Sequence, residues 1–311
     1  MKARIQQSGS EAYSAAVQCL KDGRLVALPT ETVYGLAADA RNDDAIAMIY
    51  AAKGRPSFNP LITHLLNPDD VSTYAELTPL AERLIAQFWP GPLTLVLQRR
   101  SSDLAERASA GLPTLALRCP DAPWRDGLRE AGWNAPLVMP SGNLSGHVSP
   151  TTAQHVFEDL GEKIDLIIDG GPCETGVEST VLRVDGDQAV LLRQGAIAES
   201  ELMPFTGPLS YPEPESDLAS PGMLARHYAP EASLRLNATE CEVDEILIGF
   251  GPEYSAPNLS ATGDLKEAAR NLYQMLRKFD GPDRKLAVAP IPEDGLGAAI
   301  NDRLRRAARG R

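Results

Sequence analysis

Lys53 and Arg55 stand two residues apart in Ala52-Lys53-Gly54-Arg55-Pro56-Ser57-Phe58-Asn59-Pro60. Two cations this close suit a polyphosphate, the lysine as a point charge and the arginine as a planar fork. Pro56 and Pro60 push the residues before them, Arg55 and Asn59, towards extended backbone, so the loop is stiff. Further on, Met139-Pro140-Ser141-Gly142-Asn143-Leu144-Ser145 leads to Ser149-Pro150-Thr151-Thr152. Small residues let a backbone approach a ligand closely, and free N–H groups at a helix start attract anions. This is not a Walker loop, because no GxxxxGK[ST] run occurs in the chain.

Three other segments carry polar groups where a strand meets a turn. Leu28-Pro29-Thr30-Glu31-Thr32-Val33-Tyr34-Gly35-Leu36 offers hydroxyls, a carboxylate and a phenol. Asp169-Gly170-Gly171-Pro172-Cys173-Glu174-Thr175-Gly176-Val177-Glu178-Ser179-Thr180 is a Gly-rich turn with Ser179 at the next strand's start, and Arg193 closes the strand after that. Ser220 to Pro230 holds Arg226, His227 and Tyr228 consecutively, which a passive spacer would not need. Cys173 has no histidine near it in sequence, so a cysteine nucleophile does not follow. Alone, each segment is compatible with an ordinary turn.

The elements that must position these groups alternate between strand and helix. Arg24 to Leu28, Leu93 to Leu97, Leu115 to Arg118, Pro136 to Met139, Leu166 to Ile168, Ser179 to Val184 and Ala189 to Leu192 read as strands. Asp43 or Asp44 caps a helix through Ala52 that stops at Gly54; Thr78-Pro79 opens another through Phe88; Ser149-Pro150 starts a third through Leu160. The alternation predicts a layered α/β domain. Six prolines between Pro204 and Pro230 then predict a semi-extended linker rather than a helix or central strand. Beyond it, Glu245 to Phe250, Asp264 to Phe279, Lys285 to Ile291 and Leu296 to Ala308 read strand, helix, strand, helix, a small parallel unit. The arginines at 303, 305, 306, 309 and 311 read as a solvated face of the last helix.

Composition narrows the function classes. The chain has 311 residues, 43% hydrophobic and 23% charged, which argues against wholesale disorder. Its 30 Lys and Arg against 42 Asp and Glu leave a net charge of −12, against tight non-specific nucleic-acid binding. No apolar run is long enough to span a bilayer, and no secretion signal is visible. The four cysteines form no CxxC pair and the four histidines are scattered, so neither a zinc site nor a disulfide framework follows. A cytoplasmic protein is the expectation.

Taken together and in order, PTETVYGL, KGRP with NPL, FWPGPLTLVL, SGNLSG…SPT, DGGP…GVEST, LLRQG and SPGM…HYAP resemble the L-threonylcarbamoyladenylate synthase family. NLSATGDLKEAARNLY and PIPEDGLGAAINDRLRRAA resemble the extra C-terminal domain of its long form. The resemblance implies a YrdC-like catalytic domain over 1–205, a proline-rich linker or lid over 206–231, and a small α/β domain over 232–311. It implies a twisted mixed sheet with helices and a concave cleft, followed by a Rossmann-like C-terminal domain. The implied reaction joins L-threonine, bicarbonate or CO2, and ATP into L-threonylcarbamoyl-AMP, pyrophosphate and water, for N6-threonylcarbamoyladenosine in tRNA.

Carried over by motif, Thr30, His64, Arg118, Ser141 and Ser179 would line the threonine pocket. Arg55, Asn59, Thr114, Asn143, Thr151, Arg193 and Tyr228 would hold ATP, with Lys53 and Arg55 as the catalytic cations. Mg2+ would ride on the ATP phosphates without a protein cage. The product would pass to a tRNA threonylcarbamoyl transferase complex, without membrane contact or direct tRNA binding. Gly142 and Gln194 depart from the family's usual Ala and Pro; Gly142 would loosen its loop and Gln194 shift Arg193 slightly. The alternative reading is an RNA-binding or ribosome-associated module of the same fold.

Overall fold

The structure, a computed structural model, describes residues 2–100, 102–212, 228–255 and 257–310. Ten strands form one twisted sheet: β1 (Arg4–Gln7), β2 (Val26–Leu28), β3 (Gly35–Asp39), β4 (Ile62–His64), β5 (Leu93–Gln98), β6 (Thr114–Arg118), β7 (Leu137–Val138), β8 (Leu166–Asp169), β9 (Thr180–Asp185) and β10 (Gln188–Arg193). Their order is β1-β8-β2-β3-β7-β4-β6-β5-β9-β10, with parallel and antiparallel pairs mixed. Three more strands, β11 (Ser233–Arg235), β12 (Glu245–Ile248) and β13 (Lys285–Val288), make a separate parallel sheet with β13 central.

Period-2 alternation explains how one sheet serves both a core and a cleft. Leu61, Leu93, Leu95, Leu115, Leu117 and Leu182 join the main apolar core. Their strand neighbours Ile62, Val96, Ala116, Val181 and Leu192 form a small apolar floor apart from that core. His64 and Arg118 continue that alternation on β4 and β6 and are register partners. A further core lies between helix Ser10–Lys21, Trp124 and Leu128, and the other set of β2 and β8 side chains.

Helix boundaries place the polar loops. Asn42, rather than Asp43 or Asp44, caps helix Asp43–Lys53 by accepting from the Asp44 and Ala45 N–H groups. Gly54 ends it in the left-handed region at φ 61, where a Cβ would be strained, so Lys53 is the last helical residue. Thr78 caps helix Pro79–Phe88 as expected. Ser149 caps nothing: the third helix begins at Ala153, with Thr152 as its cap. The Ser149 hydroxyl instead donates to Glu178.

The proline-rich stretch begins later than its composition suggests, because Pro204 lies inside helix Glu199–Thr206. Of the expected lid, Ser220 to His227 lies outside the described residues. In the C-terminal unit, helices Leu265–Lys278 and Leu296–Ala307 pack with the three strands, and β11 is an addition to the expected pattern. The last helix is not uniformly solvated: Arg303 is fully buried and ion-paired across the chain.

Candidate active site

A cavity opens over the floor formed by Ile62 and its neighbours. It is lined by Thr32, Val33, Arg55, Ile62, His64, Arg118, Met139, Pro140, Ser141, Glu178, Ser179, Arg193 and Tyr228. Seven residues singled out by sequence converge there: Arg55, His64, Arg118, Ser141, Ser179, Arg193 and Tyr228. They come from segments spread over 174 positions, Arg55 to Tyr228, which only the fold brings together.

Each cation is aimed by main-chain oxygens. Arg55 donates from Nε to Asn59 O at 3.3 Å and from Nη2 to Pro60 O at 2.9 Å, so the proline-stiffened loop curls around its own guanidinium. Arg118 donates from Nε to Gly91 O at 3.2 Å and from Nη2 to Thr32 Oγ1 at 3.0 Å, and pairs with Glu31 at 2.8 Å. Arg193 follows a β-bulge in β10 between Leu191 and Arg193, which re-aims its side chain. Its Nη2 donates to Ser179 O and to Ser179 Oγ, both at 3.0 Å. Gly195 completes this corner: a Cβ there would lie 2.4 Å from Glu178 O, so only glycine lets the strand end pass beneath Ser179.

Lys53 does not reach the cavity. Its ammonium lies behind the Ser141 loop and donates to Ser141 O at 2.6 Å and Asn143 O at 2.5 Å. Burial, then the Arg55 charge, push its pKa well down. The Gly142 N–H between those two carbonyls donates to Tyr34 O at 2.8 Å. The loop is therefore braced at three successive residues, and Gly142 does not loosen it. A Cβ at Gly142 would meet Val156 Cγ2 at 3.3 Å, a tight fit.

Other expected ligands sit near the cavity without lining it. The Thr30 hydroxyl is spent inside its own turn on Val33 O and Thr32 Oγ1, and Thr32 and Val33 are the residues of that motif facing the cavity. Asn59 and Asn143 are buried, and their side-chain oxygens have no hydrogen-bond partner among the described residues. Thr151 is buried with its hydroxyl 3.4 Å from His155 Nδ1. Thr114 pairs with Gln98 at the start of β6 and does not line the cavity.

The electrostatics favour an anion. Arg55, Arg118 and Arg193 face the cavity with one carboxylate, Glu178. Burial raises the Glu178 pKa, but Arg303 and then Arg193 outweigh it and hold the group at about 2. His64 is buried beside Arg118, and both effects push it down to about 3, so the imidazole is neutral at ordinary pH. Its Nδ1 lies 3.1 Å from Ile62 O; a carbonyl accepts, so Nδ1 carries the proton and Nε2 is left as an acceptor. Cys173 is buried and its thiol is pushed up by that burial, which removes it as a nucleophile.

Residues 18–195 match the family model described as "Telomere recombination", which covers Sua5, YciO and YrdC proteins. Residues 188–309 match "Threonylcarbamoyl-AMP synthase, C-terminal domain". The chain belongs to the threonylcarbamoyl-AMP synthase family, in its long two-domain form. It is 42% identical to the threonylcarbamoyl-AMP synthase of Bacillus subtilis, over 95% of this chain and 92% of that one. It is 39% identical to the enzyme of the same name from Pyrococcus abyssi, over 93% and 92%. The crystal structure of P. abyssi Sua5 complexed with L-threonine superposes with a TM-score of 0.88 at 36% identity, covering 99% of this chain and 98% of that one. Members of this family are nucleotidyltransferases, moving an adenylyl group onto threonine carbamate, and this chain is one of them. Among the described residues no helix is long and apolar enough to cross a membrane.

Glu178 and Thr32 are polar lining residues outside the set that the sequence assigns to a ligand. Both lie inside quoted motifs, GVEST and PTETVYGL, so the signal was present but its orientation was not.

Proposed function

We propose that the cavity holds L-threonine, a carbonate-derived carbon and the ATP α-phosphate together, and that it makes L-threonylcarbamoyl-AMP. The threonine ammonium gives a proton to bicarbonate, which loses water to give CO2; the freed amine attacks that carbon and gives up a second proton, which ends on pyrophosphate, leaving a carbamate. A carbamate oxygen then attacks the α-phosphorus, and the bond to pyrophosphate breaks. One threonine, one bicarbonate and one ATP thus yield one product, one pyrophosphate and one water.

The convergence of Arg55, Arg118 and Arg193 on one cavity is the observation that carries this reading. Three anionic groups must be brought close, and fixed guanidiniums offset their repulsion without rearranging as charge moves. Arg118, with His64, Ser141 and Ser179, is assigned to threonine. The neutral His64 offers Nε2 as an acceptor for the substrate's ammonium or hydroxyl. Arg55, Arg193 and Tyr228 are assigned to ATP. The unmatched side-chain oxygens of Asn59 and Asn143 would accept from its amino or hydroxyl groups. Lys53 acts by bracing the Ser141–Asn143 loop. ATP would enter as its magnesium complex: the Glu178 carboxylate is already engaged by Ser149, Tyr273 and Arg303, so the phosphates and water would carry the ion.

The product is an acyl-adenylate and hydrolyses, so a tRNA-modifying transferase that consumes it directly is the expected partner. Pyrophosphate release from ATP tests the reading. It should require both L-threonine and bicarbonate; release independent of either would overturn it.

A further inference from the structure

We infer that Arg303, outside the cavity lining and on the last helix, is a positioning residue for adenylyl transfer: it holds the Glu178 carboxylate, so that the neighbouring Arg193 guanidinium stays on Ser179 at the cavity wall. The inference rests on the assignment of Arg193 to ATP.

Glu178 is gripped from three directions. Arg303 Nε donates to Oε2 at 2.8 Å, Ser149 Oγ donates to Oε1 at 2.6 Å, and the Tyr273 hydroxyl lies 3.1 and 2.9 Å from the two oxygens. Arg303 is fully buried, and its guanidinium is fixed further by Asp302 at 2.7 Å and by the Tyr228 ring at 5.2 Å. Tyr228, itself in the cavity wall, stacks on Tyr273 with ring centroids 5.8 Å apart. The C-terminal unit therefore reaches the cavity through Arg303, Tyr273 and Tyr228.

Arg193 meets the chain one residue beyond Glu178 and its charge already acts on that carboxylate. Arg193 is bonded to the main-chain and side-chain oxygens of Ser179, the next residue along from Glu178. A buried carboxylate that loses its cation keeps its desolvation cost and turns to the nearest remaining positive group. After Arg303, the charge acting most on Glu178 is that of Arg193. A Glu178–Arg193 pair would draw the guanidinium off Ser179 and cancel charge meant for phosphate.

Docking of the C-terminal unit does not depend on this pair. Arg277 bonds Val148 O at 2.5 Å and pairs with Asp159 at 2.8 Å, and Arg270 donates to Glu174 O at 2.9 Å. At Gly176, φ +80, a Cβ would lie 2.4 Å from Ala269 O, so the loop and helix Leu265–Lys278 pack backbone to backbone. Removing the Arg303 charge should leave these contacts in place.

The test uses the full chain with Arg303→Met, Glu178→Gln and the double substitution, reading thermal midpoint, ATP Kd by calorimetry, and steady-state kcat and KM for ATP. Arg303→Met should weaken ATP about tenfold or more, with KM for ATP rising more than kcat falls. The double variant, which has no stranded carboxylate, should recover to within about threefold of the unaltered protein. An ATP Kd within twofold of the unaltered protein in folded Arg303→Met would overturn the inference. So would a double variant that binds no better than Arg303→Met. Where Arg303→Met does not fold, Arg303→Gln keeps a hydrogen bond to Glu178 without the charge, and the same outcomes apply. Threonine-dependent pyrophosphate release by the unaltered protein is read alongside. Its absence would sink the adenylyl-transfer reading, while the ATP Kd values would still decide the role of Arg303.

Discussion

Two buried arginines, Arg55 at the cavity and Arg303 at the interface between the two sheets' units, solve the same problem differently. Arg55 is held by the carbonyls of Asn59 and Pro60, dipoles that aim the guanidinium without neutralising it. Arg303 is held by the carboxylates of Glu178 and Asp302, which cancel it. Burying a charge is costly in both places. The carbonyl-held cation keeps its field for an incoming anion, and the carboxylate-held one is finished as it stands. Burial pushes the Arg55 pKa down to about 10, whereas the charges around Arg303 outweigh its burial and push it up. Arg118 is intermediate, with carbonyl and hydroxyl partners and one carboxylate, Glu31. For these arginines, how the guanidinium is paired thus separates ligand-binding from structural roles better than burial does; Lys53, also held by carbonyls, is turned away from the cavity and falls outside that contrast.

The largest effect expected of that contrast is at Arg55. Arg55→Ala should cost about 10²-fold or more in kcat/KM, the loss of one charge-assisted contact in a partly dry site. Its thermal midpoint should hold or rise, since a buried unneutralised charge is removed; a large stability loss with normal turnover would break the contrast. Lys53→Met marks its limit. That ammonium ties helix Asp43–Lys53 to two carbonyls of a loop about 90 residues away, a long-range brace that Arg55 does not provide, so both activity, by roughly 10²-fold, and stability should fall together. Full stability with lost activity would return Lys53 to the substrate.

Substrate analogues test the neutral end of the cavity. Serine lacks only the threonine methyl and should lose roughly 1–3 kcal/mol in kcat/KM. 2-Aminobutyrate, which leaves the hydroxyl's partner unmet, should lose more. Equal values for threonine and 2-aminobutyrate would mean the hydroxyl is not bound.

The smallest effect is a pH dependence of stability. His64 is held at about 3 and His155 at about 4, each below the ordinary 6.5. Between those values the unfolded chain binds protons that the folded chain refuses. Their contribution is therefore present above pH 6.5 and is lost as pH falls through the folded values, at about 1.4 kcal/mol per unit at most for each group. Denaturant melts from pH 7 to 4 should show that slope, and His64→Gln should reduce it, leaving the His155 part. An unchanged slope would place a charged imidazole in the cavity.

The contrast also marks what the sequence could carry. Thr78-Pro79 and Asp264 announce their helices because a cap is a local hydrogen bond. Ser149 looks like a cap and is not one, because Glu178, 29 residues away, claims its hydroxyl. β4, only Ile62–His64, was invisible beside Pro60, since three residues show no periodicity. The cavity arginines were legible through whole motifs, in which spacing survives folding. Arg303 reads as solvated in the sequence because it sits in an arginine-rich run, and only its partner across the fold, Glu178, reverses that. Lys53 shows the remaining gap: a motif names the residue, but the direction its ammonium takes depends on the Ser141 loop packed against it.

The most direct test of the central claim is the fate of labelled carbon. With ATP, L-threonine and ¹³C-bicarbonate, mass spectrometry should find one ¹³C in an adduct carrying both threonine and AMP, formed in step with pyrophosphate. An unlabelled threonyl-AMP, or AMP released without any labelled adduct, would contradict the account.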